Sequence, residues 1–388
     1  GQPLAGSTDH PEPARRRRRS VRRGAVMLYL APGEPLDVPA IQAWLDPIAS
    51  VAKLAITPYG DGPGDVWTRT RAALQRLVDG ERYAAQTPPA RRVLAAATIL
   101  HAIGKPHVMP GTPGYATRGD TLARAALWRD GAGFSTREHV CALIRHHGVP
   151  SRGLDSDNPV RLARWISLIT RHDWLVAVAD AVAPSDEVAL WAEHCRELEI
   201  LDRPQPFASR HTRIAYLESP SRQPDVVAHD DTECEVVVMC GLPASGKSTW
   251  LATNVSDMPL VSLDDLRIDL DVAPNEGQGA VIDAAREQAR GFLREHRSFV
   301  WNATNLTRLH RTQIVELIRS YRGRARMVYC EVSAAELAQR NRSRDAAVPE
   351  AAIRRMIERW TVPDPSEAHD VTYVVARGDG VTWPPASW

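Results

Sequence analysis

At 388 residues the chain is longer than one hydrophobic core usually organises, so two folded domains and a tail are expected; apolar residues at 44% suffice for a core in each. A formal net charge of +1 excludes a globally cationic surface, so any contact with nucleic acid must come from local basic grooves. Five scattered cysteines form no Cys-x-x-Cys pair, which speaks against a disulfide framework or a zinc ribbon and for a reducing, cytoplasmic setting. No apolar run approaches the ~20 residues of a membrane span, and the N-terminus lacks the apolar core of a signal peptide. No membrane partner is expected.

Residues 1–26 are polar and end in the basic run Arg15–Arg19, Arg22 and Arg23, which reads as a disordered tail. From 27 to 201 the signals are helical: the apolar stretch Leu94–Leu100, and Val140, Leu143, Ile144 and His147 spaced to share one helix face. This predicts an all-α domain. A weakly patterned, Pro-bearing stretch, 202–232, reads as a linker. Beyond it, 233–388 alternates strand-like runs at Val236–Met239, Leu260–Leu263, Ser298–Trp301, Arg326–Cys330 and Val371–Val375 with helical stretches, the pattern of a parallel α/β sheet.

Directly after the first of those runs comes Gly241-Leu-Pro-Ala-Ser245-Gly246-Lys247-Ser248-Thr249, a full match to the phosphate-binding loop G-x-x-x-x-G-K-[ST] in its strand–loop–helix setting. Glycines let backbone N–H groups close around phosphate oxygens at a helix N-terminus, Lys247 reaches the β/γ-phosphates, and Ser248 can ligate Mg²⁺. ATP or another nucleoside triphosphate, with Mg²⁺, is therefore the expected cofactor. The loop does not select the acceptor, because NTPases, small-molecule kinases and nucleic-acid kinases share it.

From about Glu233 to His369 the chain resembles the bacteriophage-type 5′-hydroxyl polynucleotide kinases. The likeness rests on motifs in the expected order: Leu263-Asp264-Asp265-Leu266-Arg267 after the second run, Trp301-Asn302-Ala303-Thr304-Asn305 after the third, and Arg340-Asn341-Arg342-Ser343-Arg344 before Val348-Pro349. The resemblance implies that Asp264 is the general base, that Arg267 binds a neighbouring acceptor phosphate, that Thr304 and Asn305 contact the acceptor, and that Arg340 and Arg344 belong to a lid over the nucleotide. The family pattern carries an acid where Ala303 stands. Read without the family, Asp264 and Asp265 are a helix N-cap and a first-turn acid.

In the first half, Leu100-His101-Ala102-Ile103-Gly104-Lys105-Pro106 resembles the HD phosphohydrolase superfamily over about Gly64 to Pro184, with Ala102 in place of the signature Asp. The resemblance places Arg69 at the first His ligand and Tyr115 at another, leaving His101, His146, His147 and Asp180 as remnants. Ala102 offers no ligand oxygen, and Arg69 brings a cation to the metal's position. No transition metal is therefore expected there.

The sequence thus predicts a multidomain protein: an all-α, HD-like N-terminal domain with a degenerate site, and an α/β P-loop kinase domain with a parallel sheet. The implied activity is ATP-dependent phosphorylation of 5′-hydroxyl RNA or DNA ends in nucleic-acid end healing, with catalytic residues Asp264, Lys247 and Arg344. Alternatives are a bifunctional enzyme with an active 2′,3′-phosphoesterase half, a small-metabolite kinase, and a nucleotide-gated binding module. A homo-oligomer is left open.

Overall fold

The computed structural model describes residues 28–60, 64–109, 112–273, 278–344, 346–375 and 383–384; the basic tail expected at 1–26 lies outside them. From Val38 to Glu197 the regular structure is helical. Local chemistry starts the main helices. Asp65 accepts from the Thr68 amide at 2.7 Å to open Val66–Asp79. Thr87 and Asn158 cap Pro88–Leu100 and Pro159–Ser167, each with proline in its first turn, where a missing N–H costs nothing. The predicted apolar face is the buried one: Leu94, Leu100, Val140, Leu143 and Ile144 are fully buried in one cluster with Leu175 and Val178.

The second half is a five-stranded sheet in the order β2-β3-β1-β4-β5, with β1 Cys234–Cys240, β2 Leu260–Ser262, β3 Phe299–Asn302, β4 Gly323–Cys330 and β5 Asp370–Val374. Every neighbouring pair is parallel. Helices cover both faces, so the central strand is apolar throughout, Val236 to Cys240 being at most 1% exposed, as a doubly covered parallel strand must be. All strands end on one edge, where crossover loops gather and where ligands bind in open α/β sheets.

The halves share a core. Ala125, Trp128 and Phe134 of the helical half lie in the same cluster as the sheet's Val238, Phe299 and Tyr329. Phe134 packs on Tyr329, Tyr373 and Trp383 at 5.5–5.9 Å between ring centroids. The 202–232 stretch, expected as a linker, carries a helix, Arg210–Glu218, with Thr212 to Tyr216 buried. Arg213 donates to the carbonyls of Ala368 and His369 just before β5, and Arg161 of the helical half donates to the carbonyls of Tyr216 and Ser219. A Pro-bearing polar segment masked this helix because its apolar face is only one turn and a half long.

Among the described residues no helix is long and apolar enough to cross a membrane, and all five cysteines are buried free thiols.

One buried guanidinium ties the active edge together. Arg311, 0% exposed, donates to the Glu367 carboxylate at 2.7 and 2.9 Å, to the Asn305 carbonyl at 3.1 Å and to the Thr361 carbonyl at 3.0 Å. Arg311→Ala leaves the buried Glu367 carboxylate with only the more distant Arg308, 3.8 Å away, and the Asp364 amide, so a loss of about 3 kcal/mol is expected, measured as a lower urea midpoint. A loss below about 1 kcal/mol, the scale of an exposed pair, would show that the network does not hold this edge.

Candidate active site

At the end of β1 the chain turns sharply. Gly241 has φ +134°, and a Cβ there would sit 2.3 Å from the Cys330 carbonyl oxygen and 2.8 Å from Ser245 Oγ. Its amide donates to the Thr304 carbonyl at 2.9 Å. Only glycine passes between β4's end and the β3 loop. Ala244 and Gly246 also hold positive φ, +62° and +102°, an unfavourable conformation for alanine that the loop's packing maintains. Gly246 then starts the helix Lys247–Asn254.

Lys247 folds back over the loop, its Nζ donating to the carbonyls of Gly241 and Leu242, each at 2.9 Å. Burial pushes its ammonium down to about 8, opposed by the nearby Asp264 and reinforced by Arg344. Ser245 is buried, and its hydroxyl has no hydrogen-bond partner among the described residues, which is costly unless a ligand satisfies it. An orphaned hydroxyl, two glycines whose missing Cβ atoms leave the backbone open, and a lysine at the mouth fit a nucleotide's phosphates. Ser248 is exposed at the helix start, and Thr249 follows it in the first turn.

The acid predicted as base stands at the C-terminal end of β2. The helix Leu263–Asp269 is capped by Ser262, whose Oγ accepts from the Asp265 amide. Asp264 and Asp265 are therefore both first-turn acids, and neither is the N-cap. The Asp264 side chain is 84% accessible and pairs with Arg267 at 2.7 Å; Arg267 also donates to Gln278, a contact that no local motif announces.

The β3 loop divides differently from expectation. Asn305, at φ +45°, buries its amide and donates to the Met239 carbonyl at 2.7 Å, so its side chain fixes the loop to β1. Thr304 is half-buried beside it, its carbonyl held by Gly241. On the opposite side, the helix Ala334–Arg342 brings Arg340 to the loop: Nη1 lies 3.4 Å from where a Cβ on Gly246 would be. Arg344 acts electrostatically on Lys247. Asn341 clamps the turn that follows, donating to the Val348 carbonyl and accepting from its amide. Phosphate loop, acid and lid arginines thus come together on one sheet edge.

In the helical half, His101, Tyr115, His147 and Arg69 gather, while the other remnants do not. His101 and His147 meet edge to face at 5.4 Å. Their Nδ1 atoms bond the carbonyls of Thr98 and Ile144 at 2.7 and 2.8 Å. A carbonyl only accepts, so Nδ1 carries the proton and Nε2 keeps a lone pair. Both lone pairs accept phenol hydroxyls, from Tyr59 and Tyr115, each at 2.9 Å. Burial holds the imidazoles neutral, at about 3 and 4. The Lys105 ammonium lies over both tyrosine rings, 4.5 and 4.1 Å from their centroids, and the Arg69 guanidinium lies over Tyr59. Ala102 is fully buried. His146 instead packs on Trp165, Asp180 is exposed, and Asp173 pairs with Arg171 at 2.7 Å. Tyr59 and Lys105 were missed as partners, since nothing local announces a contact 42 residues away. Among the described residues no group of three or more His, Cys, Asp or Glu side chains is placed to hold a metal ion.

Two outcomes follow from these environments. Phosphates favour charged Lys247, so nucleotide affinity is full below its value of about 8 and falls by up to about tenfold per pH unit above it. Calorimetric titration between roughly pH 7 and 9.5 checks this, and a flat profile would place Lys247 outside the phosphate contact. In the helical half, Ala102→Asp alone should leave the purified protein without stoichiometric metal, because both imidazole lone pairs still accept phenol hydroxyls and the Arg69 guanidinium lies over one of those phenol rings. Metal retained by that single variant would show that one carboxylate suffices.

Residues 236–363 match the family model described as an AAA domain. A comparison with curated proteins finds no match. Among solved structures, a candidate kinase from Chloroflexus aurantiacus shares 21% identity over 37% of this chain and 86% of its own, with a TM-score of 0.32. The loop geometry, the five-stranded parallel sheet and the match over residues 236–363 agree on a P-loop α/β domain in the C-terminal region.

Proposed function

We propose that this protein is an ATP-dependent kinase that phosphorylates 5′-hydroxyl ends of polynucleotides. The observation that carries the reading is Asp264. Its accessible carboxylate stands at the end of β2, paired with Arg267, and its charge is felt by the phosphate-loop lysine. An alcohol acceptor needs a carboxylate on that side of the phosphates, whereas simple nucleotide hydrolysis needs only a positioned water.

Bound nucleotide with Mg²⁺ supplies the transferable phosphoryl group. Lys247, Arg340 and Arg344 set positive charge around it, and the backbone between Gly241 and Gly246 cradles its phosphates. Asp264 takes the proton from the attacking hydroxyl. In the structure that carboxylate, itself largely exposed, is engaged by a partly buried Arg267, and a pair open to water on one side is weakened by solvent screening. An acceptor phosphate offers Arg267 a competing partner with more charge and a matching fork geometry. Its arrival releases Asp264 to act as base, so acceptors carrying a neighbouring phosphate are preferred over a bare nucleoside. The helical cluster takes no part in this reading, because the lone pairs that a phosphoesterase metal would need are bound to Tyr59 and Tyr115.

The direct test is transfer from γ-labelled ATP to matched RNA and DNA oligonucleotides with 5′-hydroxyl ends; no labelled product on either would end the reading. Asp264→Ala should lower turnover by about 10²–10⁴-fold while nucleotide still binds. Arg267→Ala should cut the rate on oligonucleotides far more than on a 5′-hydroxyl nucleoside; equal losses on both would assign Arg267 to the fold or to the nucleotide instead.

A further inference from the structure

The lid helix Ala334–Arg342 has its start held by the helical half. Arg137, on the helix Phe134–His146 and fully buried, grips the Glu331 carboxylate with both terminal nitrogens, at 2.8 and 2.7 Å. Its Nε donates to Glu138 at 2.7 Å, and Glu138 is in turn held by Arg124. Trp128 Nε1 donates to the Val332 carbonyl at 3.0 Å. Tyr329 donates to Glu331 from β4, and the Glu331 amide reaches the Val374 carbonyl of β5. Ser333 then caps the helix, which packs against Tyr115–Arg129 of the helical half. Three consecutive residues, Glu331 to Ser333, therefore join β4 to the helix that carries Arg340, and two of the three are bonded to side chains of the other half.

We infer that Arg137 and Trp128 are positioning residues for the phosphate site: by fixing residues 331–333 they set where Arg340 stands over Gly246. This rests on the reading above that the P-loop edge binds nucleotide and transfers its phosphoryl group. The lever is the helix itself. Arg340 lies about 10 Å along the axis from Ser333 at 1.5 Å per residue, so a tilt of about 10° at the cap moves it by about 2 Å. Misplacement by about 1 Å is already worth orders of magnitude in a charge-stabilised reaction. An Arg–carboxylate fork with Trp128 beside it resists such a tilt, because two parallel bonds fix orientation as well as distance. The helical half is then a structural part of the kinase site, and not an appended module.

The test is a double-mutant cycle in the full chain, read as affinity for a non-hydrolysable ATP analogue and for ADP, with turnover measured alongside. Glu331→Gln removes the charge at constant shape, Trp128→Phe removes one donor and keeps the ring, and Arg340→Ala removes the proposed end of the lever. Each should weaken the ATP analogue by about tenfold more than ADP, and Glu331→Gln combined with Arg340→Ala should be no worse than Arg340→Ala alone. Trp128→Phe keeps the test informative if Glu331→Gln proves poorly folded by its melting curve. Additive losses, or unchanged analogue affinity in well-folded Trp128→Phe and Glu331→Gln, would overturn the inference. Because this readout needs no acceptor, a wild-type protein that transfers no phosphate to polynucleotides removes the kinase reading without deciding the lever, and the cycle decides the lever by itself.

Discussion

The close approach of backbone at Gly241 is the constraint on which the active edge depends. The chain leaves β1 through a gap bounded by the Cys330 carbonyl on one side and the Thr304 carbonyl on the other. Any side chain there collides with β4 before it meets a ligand. That gap fixes the phosphate loop to both flanking strands at once, so whatever places the end of β4 also places the loop. The end of β4 is where the helical half takes hold, through Glu331 and Val332. The β3 loop is held from the other side by Asn305 and Arg311. The geometry at a single glycine is thus transmitted to two layers of the molecule.

Three buried arginines, Arg124, Arg137 and Arg311, hold this arrangement. Arg124 and Arg311 sit where carboxylates and backbone carbonyls converge, and Arg137 where two carboxylates do; each satisfies them with a planar fork that lysine's single ammonium cannot reproduce. Taking such charges out of water is expensive, and the pairs are no source of net stability compared with a well-packed apolar seam. What they contribute is registry. An apolar seam between the halves could slide by a fraction of an ångström at little cost, whereas a two-pronged pair to Glu331 or Glu367 cannot.

Much of this was legible in the sequence, and the rest was not for identifiable reasons. Four of the five strands fall within two residues of the apolar runs that announce them, because a buried parallel strand is mostly apolar; β4 begins three residues before its run, at Gly323, where Arg324 and Arg326 interrupt the apolar pattern. The phosphate loop is readable because its glycines answer a backbone requirement that no other residue meets. Val140, Leu143 and Ile144 declare their face by spacing alone. Arg137 and Arg311 are invisible by the same logic: an arginine in a polar stretch looks solvated, and Glu331 lies 194 residues from Arg137. Ser262 takes the cap that the neighbouring aspartates advertised, since β2 ends one residue earlier than its apolar run. That Asn305 would tie the loop to β1 was not legible, since its partner, the Met239 carbonyl, lies 66 residues away. In the helical half, spacing and likeness pointed to a set of side chains, and four of them do meet. The tyrosine hydroxyl on each imidazole, which decides what the cluster can bind, comes from outside the set for His101 and from within it for His147.

The distribution of ion pairs between interior and surface separates the framework from the parts that must exchange partners. The pairs of Arg124, Arg137 and Arg311 are buried, so opening any of them strands a charge in a low dielectric and is strongly resisted. Asp264 with Arg267, and Glu336 with Arg340, sit at the sheet edge, where Asp264, Glu336 and Arg340 are exposed and Arg267 is partly buried. There the pairing is weakened by solvent screening, and a phosphate oxygen is a better partner for either arginine than the carboxylate it leaves. The same bond type is therefore a fixed strut inside the seam and an exchangeable contact at the edge, and solvent exposure alone sets the difference. On the proposed reading such an edge needs no large rearrangement: each arginine would exchange its carboxylate for a phosphate over the reach of one side chain, while the backbone behind it stays pinned by the buried set.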